Sequence, residues 1–419
     1  VSNKFTGTDA MDFGIALDGS TVGVDLAKYL TRANFAGTFP KTSSPRAMTD
    51  DMIALNLFDD AEIQAWENAH KTDETVNFGV SHGVSLYDYD KGEYTSLALQ
   101  LGNPDNWNSD IWNDVLEQAT REDIIAACGR AGYAISEMDS ISLPGQSSMD
   151  GPNQFGSFPG FFMETPGTGW SMAPTLAQTF NVRLARAMGL QVATEAANAG
   201  MDIWYGPGVN IHRSPFGGRN YEYFGADGLL SGTIAGNVID ACHDGGLYTY
   251  LKHFVLYDQD TFRDGVYNWC TEQALREIYL KPFHVAISKY GCTGVMTAYN
   301  RIGATWSGGS EALNTGIMRD EWGFKGTILT DFCDNEVYNN LYQVIASGSE
   351  LWMKFRGQTT EIPGDTNTNA KTNTLCIILV LISCLGNAVS EILDKSAISI
   401  QSLGIKAFHV CHFQSRSFS

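Results

Sequence analysis

The strongest constraint on this chain is an alternation. From residue 174 to residue 353, helix-prone stretches give way again and again to short apolar runs. "MDIWYGPG" follows "PTLAQTFNVRLARAMGLQVATEAANAG", whose closing Gly200 is a natural helix stop. "LYTYLKHF" follows "GLLSGTIAGNVIDACHDGG", and "TGVMTAYN" follows "CTEQALREIYLKPFHVAISKYG". "KGTILTDF" comes after "EALNTGIMRDEWGF", and "SGSELWM" after "NEVYNNLYQVIA". Runs this apolar suit strands covered on both faces, and the regular succession suits a parallel sheet. Over roughly 250 residues without a dinucleotide glycine fingerprint, the pattern predicts a (β/α)8 TIM-type barrel of class α/β rather than a doubly wound sheet.

Polar residues collect where the apolar runs end, in "NIHRSP", "KHF", "TAYN" and "TDF". In such barrels the C-terminal strand ends and the loops after them build the site. One Asp at a strand end, such as Asp331 in "GTILTDFCDN", is most often a cap for free backbone N–H groups. Recurrence of polar groups at the same place in successive units is hard to explain by packing and points to chemistry.

Composition narrows the partners. The 419 residues carry 27 Lys plus Arg against 47 Asp plus Glu, a net charge of −20. That sign repels nucleic acid and anionic membrane surfaces and favours a neutral or small substrate. The eight cysteines are scattered without a CxxC pair, and several sit in apolar segments, so buried free thiols are expected. No HExxH, phosphate-loop or EF-hand pattern occurs, and no metal or cofactor is expected. The longest late apolar run, "LCIILVLISCL", falls well short of the ~20 residues that span a bilayer.

The division expected is an irregular extension and linker over 1–105, the barrel over 106–357 and a divergent tail over 358–419. "SDIWNDVLEQATREDIIAACGRAG" has helical period, with Ile111, Val115, Leu116 and Ile124 as inward positions. Val1 and the absence of a signal-like segment after it read as a fragment or processed product.

Five motifs in order carry a family resemblance: "MDGP" at 149–152, "GPGVNIHRSPFGGRNYEYF" at 206–224, "KHF" at 252–254, "VMTAYNR" at 295–301 and "EWGFKGTILTDF" at 321–332. Together they resemble the barrel domain of glycoside hydrolase family 3, which holds many β-glucosidases and β-xylosidases. The resemblance implies that Asp331 is the nucleophile. It also implies that Asp150, Arg219, Lys252, His253, Arg263 and Tyr299 surround the sugar, with Met296 lining the pocket. Such residue types suit a ring of hydroxyls, because charge-assisted hydrogen bonds are the strong ones. Arg219 and Lys252 nearby are expected to lower the pKa of Asp331. His212 and Arg213 are read equally well as loop braces or as sugar contacts.

Several positions depart from the family pattern. Gly156 stands where an Arg is usual, Phe332 where Trp is usual, and Asp260 where Glu is common. The family's acid/base Glu lies on an α/β sandwich domain, and no residue here is assigned that role. The upstream linker resembles that of members with reversed domain order, so the Glu is expected from a sandwich domain outside this sequence or from a second copy in a homodimer. The function implied is a retaining β-glycosidase acting on β-glucosides or short cello-oligosaccharides. The alternatives are a β-xylosidase and a catalytically incomplete carbohydrate-binding barrel. The His-Asp loop pair typical of the β-N-acetylhexosaminidase branch is not visible in "KHFVLYDQDTFRDG".

Overall fold

The computed structural model describes residues 78–101, 110–129, 131–156, 167–324, 326–333 and 347–354, with 339, 343 and 344 and two short strands at 12–15 and 21–23. The expected tail over 358–419, most of "NEVYNNLYQVIA" and the greater part of the upstream extension lie outside the described residues.

The alternation resolves into strands and helices as expected. The strands are β1 (Ala134–Ile135), β2 (Gln146–Asp150), β3 (Ile203–Tyr205), β4 (Gly208–Ile211), β5 (Tyr223–Gly225), β6 (Tyr248–Thr249), β7 (Leu251–Phe254), β8 (Gly294–Thr297), β9 (Thr327–Phe332) and β10 (Leu351–Met353). β3 runs into β4 and β6 into β7, so each pair acts as one long strand with a break. From β2 the order is β2, β3/β4, β6/β7, β8, β9, β10, and every neighbouring pair is parallel. β5 lies beside β4 and is also parallel to it.

The ends of this sheet meet, which makes it a barrel. The amides of Ala131 and Gly132 donate to the carbonyls of Trp352 and Lys354 at 2.9 and 3.0 Å. Two residues later β1 pairs with β2, antiparallel, through Ala134–Ser147 and Ile135–Gln146. Gly132 is required at the seam, since a Cβ there would lie 2.3 Å from the Lys354 carbonyl oxygen. The fold is thus the parallel α/β barrel the sequence implies, sealed by one antiparallel segment.

Period-two alternation along the strands divides the core. Trp204, Val209, Leu251, Val295 and Ile328 pack outward against the helices Val182–Asn198, Gly228–Asp244 and Lys281–Tyr290. Tyr205, Tyr250, Met296, Leu329 and Met353 point the other way and join a second cluster. That cluster also takes Val84, Leu86 and Leu101 from the upstream segment and Trp112, Val115 and Ile124 from the helices after it. Each such side chain, fully buried, contributes on the order of 1.5–3 kcal/mol.

Two long helical readings are each broken in two. The stretch after Asp110 forms Ile111–Gln118 and Arg121–Gly129, because Ala119 takes an extended ψ of 135°. Val115, Leu116 and Ile124 are buried as expected. The stretch after Pro174 breaks at Phe180, whose φ is +50°, and restarts at Asn181, whose side chain accepts from the Arg183 and Leu184 amides. No described helix is long and apolar enough to cross a membrane.

Candidate active site

The polar clusters at the strand ends converge on one mouth. Asp150 ends β2, Lys252 and His253 lie on β7, Tyr299 follows β8, and Asp331 lies near the end of β9. Arg219 and Arg263 come from the loops after β4 and β7.

Asp331 is largely enclosed, with 11% of its side chain exposed. Oδ1 accepts the amide of Phe332 at 2.9 Å. Oδ2 is buried and has no hydrogen-bond partner; the nearest basic atom is Nε2 of His253 at 3.5 Å, beyond good hydrogen-bonding reach. Burial pushes the Asp331 pKa up to about 6, against the downward pull of Arg219, Lys252, the Phe332 amide and Arg263. The cations do act as the sequence suggests, but desolvation outweighs them and reverses the expected direction.

Asp150 has the opposite surroundings. Lys252, 2% exposed, donates from Nζ to its Oδ1 at 2.6 Å, and the Gly151 amide adds a bond of 2.7 Å. Burial works to raise the Asp150 pKa, yet Lys252, the Gly151 amide and Arg219 hold it below the usual carboxylate value.

His253 is 1% exposed and held on every side. Its backbone is clamped by Asn210, whose Oδ1 accepts the His253 amide at 2.7 Å while its Nδ2 donates to the carbonyl at 2.8 Å. Its ring stacks on Tyr257 at 5.2 Å, and Nδ1 meets the Tyr223 hydroxyl at 3.0 Å. Burial, then the charges of Arg219, Lys252 and Arg263, drive its pKa well below the usual value, so the ring is neutral.

The arginines are anchored differently. Arg219 forms a bidentate pair with the buried Glu222, one arm from Nη2 to Oε2 at 3.1 Å, and lies over the Tyr257 ring. Arg263 lies 4.2 Å above the centre of the Tyr299 ring and reaches the Tyr299 hydroxyl at 3.4 Å. Burial and the Asp331 charge raise the Tyr299 pKa, so its phenol keeps its proton. Asp260 accepts from the Tyr257 hydroxyl at 2.6 Å and sits 3.4 Å from Arg263.

The structure thus brings seven of the eight sequence-selected residues into one polar constellation. The eighth, Met296, lies on β8 within the apolar cluster that includes Leu329 and Met353. His212 and Arg213 make bracing contacts: His212 Nε2 donates to the Tyr223 carbonyl at 2.8 Å, and Arg213 pairs with Asp258 at 3.2 Å. Sequence reasoning missed Asn210, Glu222, Tyr223 and Tyr257. Three of them sit inside the quoted 206–224 run, where the Arg219–Glu222 spacing of three was an available signal.

Tyr133 was also missed. It stands at the seam with a φ of +61° and its ring 6.5 Å from that of Phe332. Burial first, then the charges of Asp150, Tyr205 and Asp331, raise its pKa.

Known proteins resemble this chain in sequence and in fold. The family model for the glycosyl hydrolase family 3 N-terminal domain matches residues 163–346. A β-glucosidase of Ruminococcus albus is 35% identical over 206 residues, 49% of this chain and 21% of that protein. β-Glucosidase B of Emericella nidulans is 30% identical over 292 residues, 69% of this chain and 32% of that protein. The chain therefore spans well under half the length of these relatives. Among solved structures, β-glucosidase 3B of Thermotoga neapolitana in complex with glucose is 26% identical, with a TM-score of 0.53 over 70% of this chain and 41% of that one. The β-glucosidase of Kluyveromyces marxianus, 23% identical with a TM-score of 0.58 over 73% of this chain and 37% of that one, shares the fold. Residues 163–346 thus match the glycosyl hydrolase family 3 N-terminal domain, and over its barrel this chain is a homologue of β-glucosidases.

Proposed function

We propose that the chain carries the sugar-binding and nucleophilic half of a retaining β-glucosidase, with Asp331 attacking the anomeric carbon. The observation that carries this reading is the buried carboxylate with one oxygen left without a hydrogen bond at the mouth of the barrel. A carboxylate tied up by donors is a weak nucleophile; a desolvated one with a free oxygen is a strong one. Its pKa of about 6 still leaves most of it ionised at neutral pH.

In the first step the Asp331 oxygen forms a bond to the anomeric carbon as the bond to the leaving oxygen breaks. That oxygen takes a proton from a carboxylic acid roughly 5–5.5 Å from the nucleophile, and water later releases the sugar. We assign the proton donor to an adjoining sandwich domain or a second copy, as the resemblance implies. Asp150 accepts from sugar hydroxyls, while Lys252, His253, Arg219 and Arg263 donate to them, and Tyr299 borders the nucleophile. Met296 forms an apolar part of the wall. Residues 106–357 form the barrel unit in this reading, with 1–105 as its linker.

The test is incubation with an activated 2-deoxy-2-fluoro-β-glucoside, followed by intact-mass analysis and peptide mapping. The activated leaving group departs without a proton donor, and the fluorine slows release of the covalent sugar. One added glycosyl mass on the peptide containing "GTILTDF" supports Asp331 as nucleophile. A well-folded sample that binds glucose yet gains no mass leaves a carbohydrate-binding barrel, and faster labelling by the xyloside analogue favours a β-xylosidase.

A further inference from the structure

A neutral imidazole has one N–H and one lone pair, and which nitrogen carries the proton is set by the partners of both. At His253 the two partners are unlike. Nδ1 faces the Tyr223 hydroxyl at 3.0 Å, and Nε2 faces Asp331 Oδ2 at 3.5 Å. A phenol can donate or accept, whereas an ionised carboxylate can only accept. Only the tautomer with the proton on Nε2 makes both contacts attractive. Tyr223 then donates its O–H to Nδ1, and Nε2–H points at Asp331. The other tautomer turns a lone pair toward the carboxylate.

We propose that Tyr223 is a positioning residue that locks His253 in the Nε2–H form, so that its single proton is presented toward Asp331 and to a sugar hydroxyl that comes up beside the two. The role in turnover rests on the glycosidase reading; the lock itself does not. All groups facing the ring agree with it. Tyr257 covers one face, and Arg219, Lys252 and Arg263 oppose a second proton on the ring. Burial keeps the Tyr223 phenol protonated across the working range.

The backbone holds Tyr223 for this purpose. His212 donates to its carbonyl, and its strand pairs with β4 through Gly208. A Cβ on Gly208 would lie 2.8 Å from two carbons of the Tyr223 ring. Gly208 therefore makes room for the ring that reaches His253, which ties one glycine of the 206–224 run to the protonation state of a histidine on the next strand.

The test is nitrogen NMR of the full chain labelled with ¹⁵N only in its histidines, with the His253 signals identified by their loss in His253→Gln. The wild type is expected to show a bare Nδ1 and a protonated Nε2 from pH 7 to 8, where Asp331 is ionised. Tyr223→Phe keeps the ring and removes the hydroxyl, and its Nδ1 and Nε2 signals are expected to shift toward a mixture of tautomers. Gly208→Ala, which displaces the ring with its hydroxyl intact, is expected to shift them the same way. On an aryl β-glucoside, Tyr223→Phe is expected to lower kcat/KM about tenfold, the scale of one buried hydrogen bond. A wild-type His253 protonated on Nδ1, or a tautomer unchanged in Tyr223→Phe, overturns the proposal. If the tautomer shifts as expected but the wild type gains no glycosyl mass from the activated 2-deoxy-2-fluoro-β-glucoside, the lock stands and the glycosidase reading falls.

Discussion

Asp150 and Asp331 stand at the same end of the same ring, on strands that both run toward the mouth, yet their carboxylates are treated in opposite ways. Asp150, with 25% of its side chain exposed, is bound by a lysine and a backbone amide, and its pKa is held below the usual carboxylate value. Asp331 is more deeply enclosed, keeps one oxygen without a hydrogen bond, and holds its proton to about pH 6. The cations are shared between them, since Lys252 and Arg219 act on both. What differs is direct contact. A carboxylate held in hydrogen bonds is a fixed acceptor, suited to receiving hydroxyls, while one left short of partners retains its reactivity at a cost in stability.

The largest effect expected from this contrast is on turnover. Asp331→Gly should lower kcat on an aryl β-glucoside by about 10⁴-fold, the scale seen when a reacting group is lost. Added azide should restore product as the α-glycosyl azide, detected by mass spectrometry. The same substitution rescued equally at Asp150 would erase the distinction between the two acids.

Next is the cost of breaking the bound carboxylate. Lys252→Met leaves Asp150 without its ion-pair partner. Breaking a buried pair costs about 3–5 kcal/mol, and the partial exposure of Asp150 places this loss near the lower end. Urea denaturation should report it, and a loss under ~1 kcal/mol would mean the pair is not a structural element.

The third effect has the opposite sign. The Asp331 pKa lies above the ordinary 3.8, so the fold favours the protonated form. The penalty for ionising it is absent below about pH 4, grows between pH 4 and 6, and is complete above pH 6. Asp331→Asn should therefore stabilise the chain at pH 7.5 by up to about 2–3 kcal/mol, with almost no gain at pH 4. Denaturation midpoints at the two pH values measure it. An equal gain at both would show that burial of charge is not the cause.

The smallest effect concerns Arg263. Lysine in its place keeps the charge near Asp331 but loses the flat stack on Tyr299. The expected change is about two- to fivefold in kcat/KM, matching ~0.5–1 kcal/mol for a partly exposed cation–π contact.

Much of the site was legible because its residues end apolar runs, and a barrel brings strand ends together whatever their separation in sequence. Asp150, Lys252 and Asp331 could be placed that way. The sign of the Asp331 shift could not, since it depends on how much water the closed ring excludes. Tyr223 and Asn210 were hidden for another reason: they act across strands, through a phenol and a side-chain amide that look ordinary in a row of letters. The helix breaks at Ala119 and Phe180 were missed because both stretches keep helical period through the break. Asn181 before "VRLARAMGL" was the capping signal that marked the second one.

The seam between Gly132 and Lys354 has a consequence for how the molecule is made. More than two hundred residues separate its two sides. A ribosome adding roughly 5–20 residues per second takes about ten to forty-five seconds to deliver the second side after the first. Throughout that interval the nascent ring is an open sheet with a bare edge, and Asp331 reaches the solvent well after Asp150. The cluster of strand ends is thus assembled only once both sides of the seam have been made, and an emerging chain stalled before Leu351 presents an adhesive edge to its neighbours on the same message.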